Sequence, residues 1–471
     1  MIGRIEEQRE LMRMYESDES EFVAIYGRRR VGKTYLVRET FEGRFAFQHS
    51  GLANGGMKRQ LSHFTLSLKT FGWTGGSSPK DWDAAFAYLR EVISNSQLTK
   101  KVVFLDEMPW MDTPRSNFIS ALEGFWNGWA SARKDILLIV CGSAAAWISK
   151  KLFRNHGGLH NRVTCRIRLN PFTLGECEAL VRERGIVMTR MDIAECYMAF
   201  GGIPYYWRYL DKRFSTAQNL DRMFFSDGAP LADEFAELYS SLFRNSKLPR
   251  AIVCELAGRG AGMTRNDIAK ALDMSASGKL TDALEALCVS GFVRKYNPFG
   301  TAKTNQVFQL VDAFTLFHFR YLGGRRPSDE NYWLRTVDSP SHRVWCGIAF
   351  ERLCLLHQRQ IRKALGIEGV LAECCAWRHL PDKTNPDGAQ IDLLFDRADN
   401  VVDVCECKYT AEAFRIDKEY ASKLSKKLSV FREVTKTRKA VHLTMVTASG
   451  IERNEYSSRI QSEVTLDDLF T

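Results

Sequence analysis

The chain contains no window approaching the roughly 18 uninterrupted apolar residues that a membrane-spanning helix requires, so no membrane span is expected. Its opening, Met1-Ile2-Gly3-Arg4-Ile5-Glu6-Glu7, turns charged within a few residues and has no apolar secretory segment. No signal peptide is expected there. Low-complexity tracts and tandem repeats at solenoid periods are also absent, which sets aside disordered and array-like architectures. The 12 cysteines are scattered, and neither Cys374-Cys375 nor Cys405/Cys407 has the paired CxxC spacing of a zinc site. Without an export signal, reduced core thiols in a cytoplasmic protein are expected in place of a disulfide framework.

What is present is a long and basic chain. At 471 residues it exceeds one ordinary core, and two to four domains are expected. A hydrophobic fraction of 45% with 26% charged residues is that of a soluble globular protein, and a net charge of +10 with a pI near 9.0 favours polyanionic partners. Between Lys408 and Lys439 the cations Arg415, Lys418, Lys423, Lys426, Lys427, Arg432, Lys436 and Arg438 outnumber the acids. Such a run is either a solvated helix face or a track for a phosphate backbone.

Gly27-Arg28-Arg29-Arg30-Val31-Gly32-Lys33-Thr34 fits the phosphate-binding loop pattern. It follows a short apolar strand, Glu21–Tyr26, and precedes a helical segment, Thr34–Phe41, which is the context that gives this motif its meaning. Gly27 and Gly32 allow backbone N–H groups to turn toward phosphates, and the helix N-terminus adds its dipole. Lys33 is expected to bridge the β- and γ-phosphates of ATP, and the Thr34 hydroxyl to bind Mg²⁺. A second apolar run, Lys101–Glu107, ends in two acids. Asp106 is the expected holder of the Mg²⁺ shell, and Glu107 the group that polarises the attacking water. A third buried strand, Ile136–Ser143, ends in a hydroxyl, and Ser143 is the candidate γ-phosphate sensor.

In these motifs the chain resembles the archaeal-type ATPase family of the AAA+/STAND P-loop class. The matching segments are the opening box Ile2–Glu7, Gly27–Thr34, Phe104–Glu107, Gly142-Ser143 and Gly201-Gly202-Ile203-Pro204-Tyr205-Tyr206. The resemblance implies that the opening box and the segment around Pro204 approach the nucleotide base from a lid. It points to Arg162 as an arginine finger, in competition with Arg154, Arg166, Arg168 and Arg208. It also accommodates the Arg28-Arg29-Arg30 run, read as a solvated face.

From Leu248 onward, a capped helix at Thr264–Leu272, a turn near Ser275–Gly278, a helix from about Lys279 to Val289, and strands at Gly291–Tyr296 and Gln306–Val311 read as a winged helix. It is expected either to contact DNA or to relay lid motion. The aromatic stripe Leu316–Tyr321 reads as interdomain core, and 323–330 as a linker.

Farther on, Gly388–Asp396 and Val401–Lys408 read as two strands of a hairpin turned by Arg397–Asn400. Alternation puts Glu406 and Lys408 on one face, and strand pairing brings Asp392 beside them. Two carboxylates and a lysine suit hydrolysis with Mg²⁺ or Mn²⁺, the lysine orienting water. This segment resembles the PD-(D/E)xK nuclease superfamily, and the nuclease-like tail common in archaeal-type ATPases. By that resemblance Glu351, on a preceding helix, is an additional metal ligand, while Gln390 stands where relatives often carry an acid.

The expected fold is α/β: a P-loop ATPase core at 1–170, a helical lid at 171–245, a winged helix at 246–325 and a restriction-endonuclease-like α/β domain at 335–471. The leading functional expectation is an ATPase that controls a metal-dependent DNA endonuclease, in defence or DNA processing, with DNA, a homo-oligomer or a protein partner as interaction partners. The alternatives are a STAND-like nucleotide switch, and a winged-helix DNA-binding regulator with a non-cleaving tail.

Overall fold

The computed structural model describes residues 2–153, 157–159, 161–243, 246–301, 305–323, 329–337, 339–382 and 386–471. Arg154 and most of the expected linker lie outside the described residues. The chain divides into two compact units, Met1–Pro171 and Phe172–Thr471.

The first unit is built on five parallel strands: β1 (Glu21–Gly27), β2 (Phe45–Ser50), β3 (Lys101–Asp106), β4 (Ile136–Gly142) and β5 (Cys165–Leu169). Their order across the sheet is β2-β3-β4-β1-β5. Helices cover both faces of such a sheet, so its central strands are buried on both sides and read as unbroken apolar runs. Every residue of β3 and β4 is buried. Helices Met57–Thr70, Trp82–Asn95 and Phe118–Gly128 bring Phe64, Trp82, Phe86, Phe118 and Phe125 into one aromatic core. β4 lies between β1 and β3, so the loops leaving all three strands emerge side by side at one edge.

The second unit begins with helices Leu174–Glu183 and Arg190–Phe200, each opened by a reciprocal capping box, Thr173/Glu176 and Thr189/Asp192. It contains a small antiparallel sheet of β6 (Met263–Thr264), β7 (Val293–Tyr296) and β8 (Val307–Leu310) in the order β6-β8-β7. Helices Arg265–Ala271 and Gly278–Val289 belong to the same segment, the first capped by Thr264. The loop after β7 folds back onto the C-terminal part of the unit. Phe299 N donates to Ala376 O at 3.0 Å, and the Phe299 ring lies 5.1 Å from that of Phe431.

A mixed sheet follows, made of β9 (Ala372–His379), β10 (Ala389–Arg397), β11 (Val401–Lys408), β12 (Ala440–Thr447) and β13 (Ser462–Thr465), in the order β13-β12-β11-β10-β9. β9, β10 and β11 are antiparallel, whereas β11, β12 and β13 run parallel. Asn400 takes the left-handed conformation (φ 64°) that closes the β10–β11 hairpin. Helix Lys418–Thr435 buries Ala421, Leu424, Val430 and Phe431, all of them part of the core under this sheet. The aromatic stripe is core within the unit: the Phe317 ring stands 4.6 Å from Phe224, 5.3 Å from Trp333 and 5.7 Å from Trp345. Among the described residues no helix is long and apolar enough to cross a membrane.

Candidate functional site

The loop after β1 is shaped by two glycines. Gly27 (φ 151°) passes so close to β5 that a Cβ there would stand 2.2 Å from Leu169 O. Gly32 (φ 94°) opens onto space: a Cβ would meet nothing within 4 Å. Directly after Gly32 the Lys33 side chain turns inward. Its Nζ donates to Gly27 O at 3.2 Å, Arg28 O at 2.8 Å and Ser143 Oγ at 3.2 Å. Burial lowers its pKa, opposed by the charges of Glu107 and Asp106. The ammonium is thus held by oxygens that an anionic phosphate would replace.

β3 and β4 supply the remaining groups. Thr34 Oγ1 donates to Asp106 Oδ2 at 2.8 Å, which pairs two hard oxygen donors of the kind Mg²⁺ takes. Asp106 Oδ1 accepts from Glu107 N at 2.8 Å and from Cys141 Sγ at 2.6 Å. Glu107 leaves the strand in a left-handed conformation (φ 45°). Its carboxylate accepts the Ser143 hydroxyl at 2.5 Å and the Ser143 N–H at 3.2 Å. Lys33, Thr34, Asp106, Glu107 and Ser143 therefore form one connected set, and the residues present fit a magnesium-bound nucleoside triphosphate.

Other expectations for this unit meet a different geometry. Arg28 is buried and Arg29 and Arg30 are half-buried, so the arginine run is no solvated face; the tight loop folds it against its own unit. In the opening box Arg4 grips the loop itself, donating to Val31 O at 3.2 Å and to Asn170 O at 2.7 Å. Arg162, Arg166 and Arg168 are exposed, and Arg166 lies over the Phe153 ring at 4.4 Å. In the second unit Pro204 opens the short helix Pro204–Trp207, and Arg208 stacks on Tyr205 at 5.2 Å. Cys141 and the clamping role of Arg4 went unnoticed in the sequence, where neither stands out from its apolar or charged neighbours.

The second constellation lies on β10 and β11. The register pairs Leu393 with Cys405, so continuing it one step sets Asp392 across from Glu406. A register shift on the β9 side falls between Ile391 and Leu394, around Asp392. Asp392 Oδ1 accepts from Gln390 Nε2 at 2.6 Å. Glu406 Oε1 lies 3.2 Å from Lys408 Nζ and accepts from Tyr420 OH at 2.7 Å, and Oε2 accepts from Lys427 Nζ at 2.6 Å. Burial works against the Glu406 charge, but Lys427 and Lys408 outweigh it and hold the carboxyl below its usual range. Glu351, on helix Pro340–Leu356, is pushed up to about 7 by burial and then by the charge of Asp392, with Glu406 adding to it.

The four expected residues are thus electrostatic neighbours, yet the expected ligand set Glu351, Asp392 and Glu406 does not converge. Among the described residues no three acids, histidines or cysteines are grouped to hold a metal ion. Glu406 is instead held by Lys427, Lys408 and Tyr420, and one oxygen of Asp392 by Gln390. The residues as placed do not fit a divalent cation. Tyr420 and Lys427 were missed as a pair, although seven residues on a helix put both on one face. The basic run is also not a free strip. Lys423 pairs with Glu419 at 2.7 Å, Lys426 with Asp387 at 2.7 Å, and Lys439 with Asp396 at 2.5 Å.

Comparison with known proteins bears on the first constellation. Residues 1–210 match the family model described as an ATPase domain predominantly from Archaea. An uncharacterized protein of Methanocaldococcus jannaschii is 24% identical over 331 residues, covering 68% of each chain. Among solved structures, a Walker-type ATPase of Pyrococcus abyssi shares 16% identity at a TM-score of 0.49, over 68% of this chain and 96% of that one. The ORC2 protein of Aeropyrum pernix, in its ADPNP–ADP complexes, shares 15% identity at a TM-score of 0.39, over 67% and 92%. Residues 1–210, which match that ATPase domain, include the parallel five-stranded α/β sheet, and a further mixed sheet lies toward the C-terminus.

Proposed function

We propose that the first unit binds and hydrolyses ATP with Mg²⁺, and that its nucleotide state controls a C-terminal domain of the PD-(D/E)xK type that acts on DNA. The observation that carries the first half is the connected set of Lys33, Ser143 and Glu107 beside Thr34 and Asp106. Lys33 would hold the β- and γ-phosphates, and its three oxygen partners are surrendered when they arrive. Thr34 and Asp106 would hold Mg²⁺, which neutralises phosphate charge. Glu107 accepts a proton from, or orients, the attacking water once its carboxylate leaves Ser143, and the freed Ser143 hydroxyl and N–H then face the γ-phosphate. Pro204 and an arginine finger, with Arg162 the first candidate, would complete the site on lid closure or from a second copy of the chain.

The second half rests on Asp392 and Glu406 standing across one hairpin, with Lys408 on the Glu406 carboxylate and Glu351 within electrostatic reach. The three-stranded sheet and its two helices support the winged-helix reading. Its loop lies against β9, so a relay between nucleotide state and tail is favoured over base reading. A second reading, a STAND-like switch with a non-cleaving tail that engages DNA or a protein partner, is favoured by the hold of Lys427 on Glu406.

The deciding experiment is cleavage of linear, circular and branched DNA with Mg²⁺ or Mn²⁺, with and without ATP, by the natural chain and by Lys408→Ala and Lys33→Ala. Cutting lost in the first variant and altered in the second supports the control of a nuclease. ATP turnover without cutting under any condition sinks that half and advances the switch.

A further inference from the structure

The second unit holds a cavity of about 450 Å³ that the functional reading leaves unused. Its walls come from four helical stretches: Arg190–Phe200, Lys247–Ala257, Ala313–Phe317 with the turn after it, and Pro340–Leu356. On the last of these, Val344, Ile348, Arg352 and Leu356 recur at helical spacing, and all four line the cavity. The usual order of burial is inverted along this face. Val344 is 60% exposed, Ile348 47% and Leu356 43%, whereas Arg352 is 4% exposed. Arg352 Nη2 donates to Gly260 O, while Nε and Nη1 have no partner among the described residues. Burial lowers its pKa; Glu351 opposes this, Arg294 adds to it, and Asp392 opposes it in turn. Phe319, Trp345 and Leu353 give the wall its apolar character, and exposed Arg320 is its second cation. Among the described residues no acid lines the cavity.

We propose that this cavity binds an amphipathic anion, an apolar chain of about a dozen carbons ending in one carboxylate. At a water's share of about 30 Å³ the space takes about 15 non-hydrogen atoms, and its size and apolar lining are those of a small-molecule site. A buried guanidinium with unmade hydrogen bonds is costly, and a carboxylate is the group that relieves it. The two arginines draw that charge and repel an amine of the same shape. The apolar chain in turn takes Val344, Ile348 and Leu356 out of water. Bound there, the ligand bridges helices of the expected lid, winged helix and tail, all within the second unit.

The test is isothermal titration calorimetry of dodecanoate, kept below micelle formation, into the full nucleotide-free chain. One saturable site per chain is expected, with dodecanol and dodecylammonium each about tenfold or more weaker because the ion pair is lost. Arg352→Met should remove most of the preference for the carboxylate, and Arg320→Met, at an exposed position, part of it. Ile348→Trp crowds the cavity and should abolish binding while melting as the parent; Ala349→Phe, at a second wall position, serves if it does not. Dodecanoate should also slow alkylation of Cys254, an exposed thiol of the lining, severalfold. The proposal is overturned if dodecanoate shows no saturable site, if dodecanol binds as tightly, or if a crowded variant that melts as the parent binds dodecanoate unchanged.

Discussion

Exchanging His49 for Phe is expected to blunt the acid sensitivity of the first unit, and the size of the effect follows from where the ring sits. His49 lies in β2, 4% exposed and in register with Leu105 of β3, one step before the pairing of Ser50 with Asp106. Its ring is 4.9 Å from Phe64 and 5.1 Å from His63, and Nδ1 lies 2.9 Å from Ser67 Oγ. Burial, and secondarily the charge of His63, lower its pKa to about 3. An unfolded chain binds the same proton near pH 6.5. Above pH 6.5 both states are neutral there and the stability is fully present. As the pH falls from 6.5 toward 3 only the unfolded state gains the proton, so stability is progressively lost. At about 1.36 kcal/mol per unit, the loss is about 2 kcal/mol by pH 5 and about 4 kcal/mol by pH 3. Phenylalanine fills the same slot, gives up the Ser67 contact at about 1 kcal/mol, and has no proton to take. Urea unfolding of the natural chain and of His49→Phe at pH 7, 6 and 5 reads the difference directly, since contributions from other groups cancel between them. Parallel plots of unfolding free energy against pH would refute the assignment of this histidine as buried and neutral.

Three further outcomes test other parts of the structure. Gly27→Ala, whose Cβ would meet Leu169 O at 2.2 Å, should separate β1 from β5, costing about 3 kcal/mol in thermal unfolding and weakening binding of a fluorescent ATP analogue. An unchanged melting temperature would show that the close approach is relaxed at no cost. Asp106→Asn should slow phosphate release about a hundredfold or more, because it removes the charge beside Thr34, and equal rates would sink the assigned role. Asp221→Ala should destabilise the second unit by about 2–4 kcal/mol, since the N–H groups of Trp333 (2.7 Å) and Leu334 (3.0 Å) lose their buried acceptor; calorimetry showing no shift would contradict it.

The parts of this molecule that could be read in advance are those whose physics is local. A parallel strand buried on both faces must be a continuous apolar run, and so Phe22–Ile25, Val102–Leu105 and Ile136–Cys141 announced themselves, each with its chemistry at the carboxyl end. Period-two alternation put Glu406 and Lys408 on one face of β11 for the same reason. The contacts that decide what these groups do are not local. Arg4 meets Val31 across 27 residues, Cys141 meets Asp106 across 35, and Lys427 meets Glu406 across 21. No periodicity encodes such closures; they follow only once the sheet order and helix packing are known. The basic run shows the consequence. As sequence, Lys423, Lys426, Lys427 and Lys439 are equivalent cations, and a phosphate track is a fair reading. In the fold Lys423 and Lys426 sit on exposed acids, Lys439 closes onto Asp396 of the hairpin, and Lys427 alone of the four enters the acidic centre. The same lysine content therefore describes a DNA track, a decorated surface or a withdrawn ion pair, and the choice among them turns on which acid each ammonium finds.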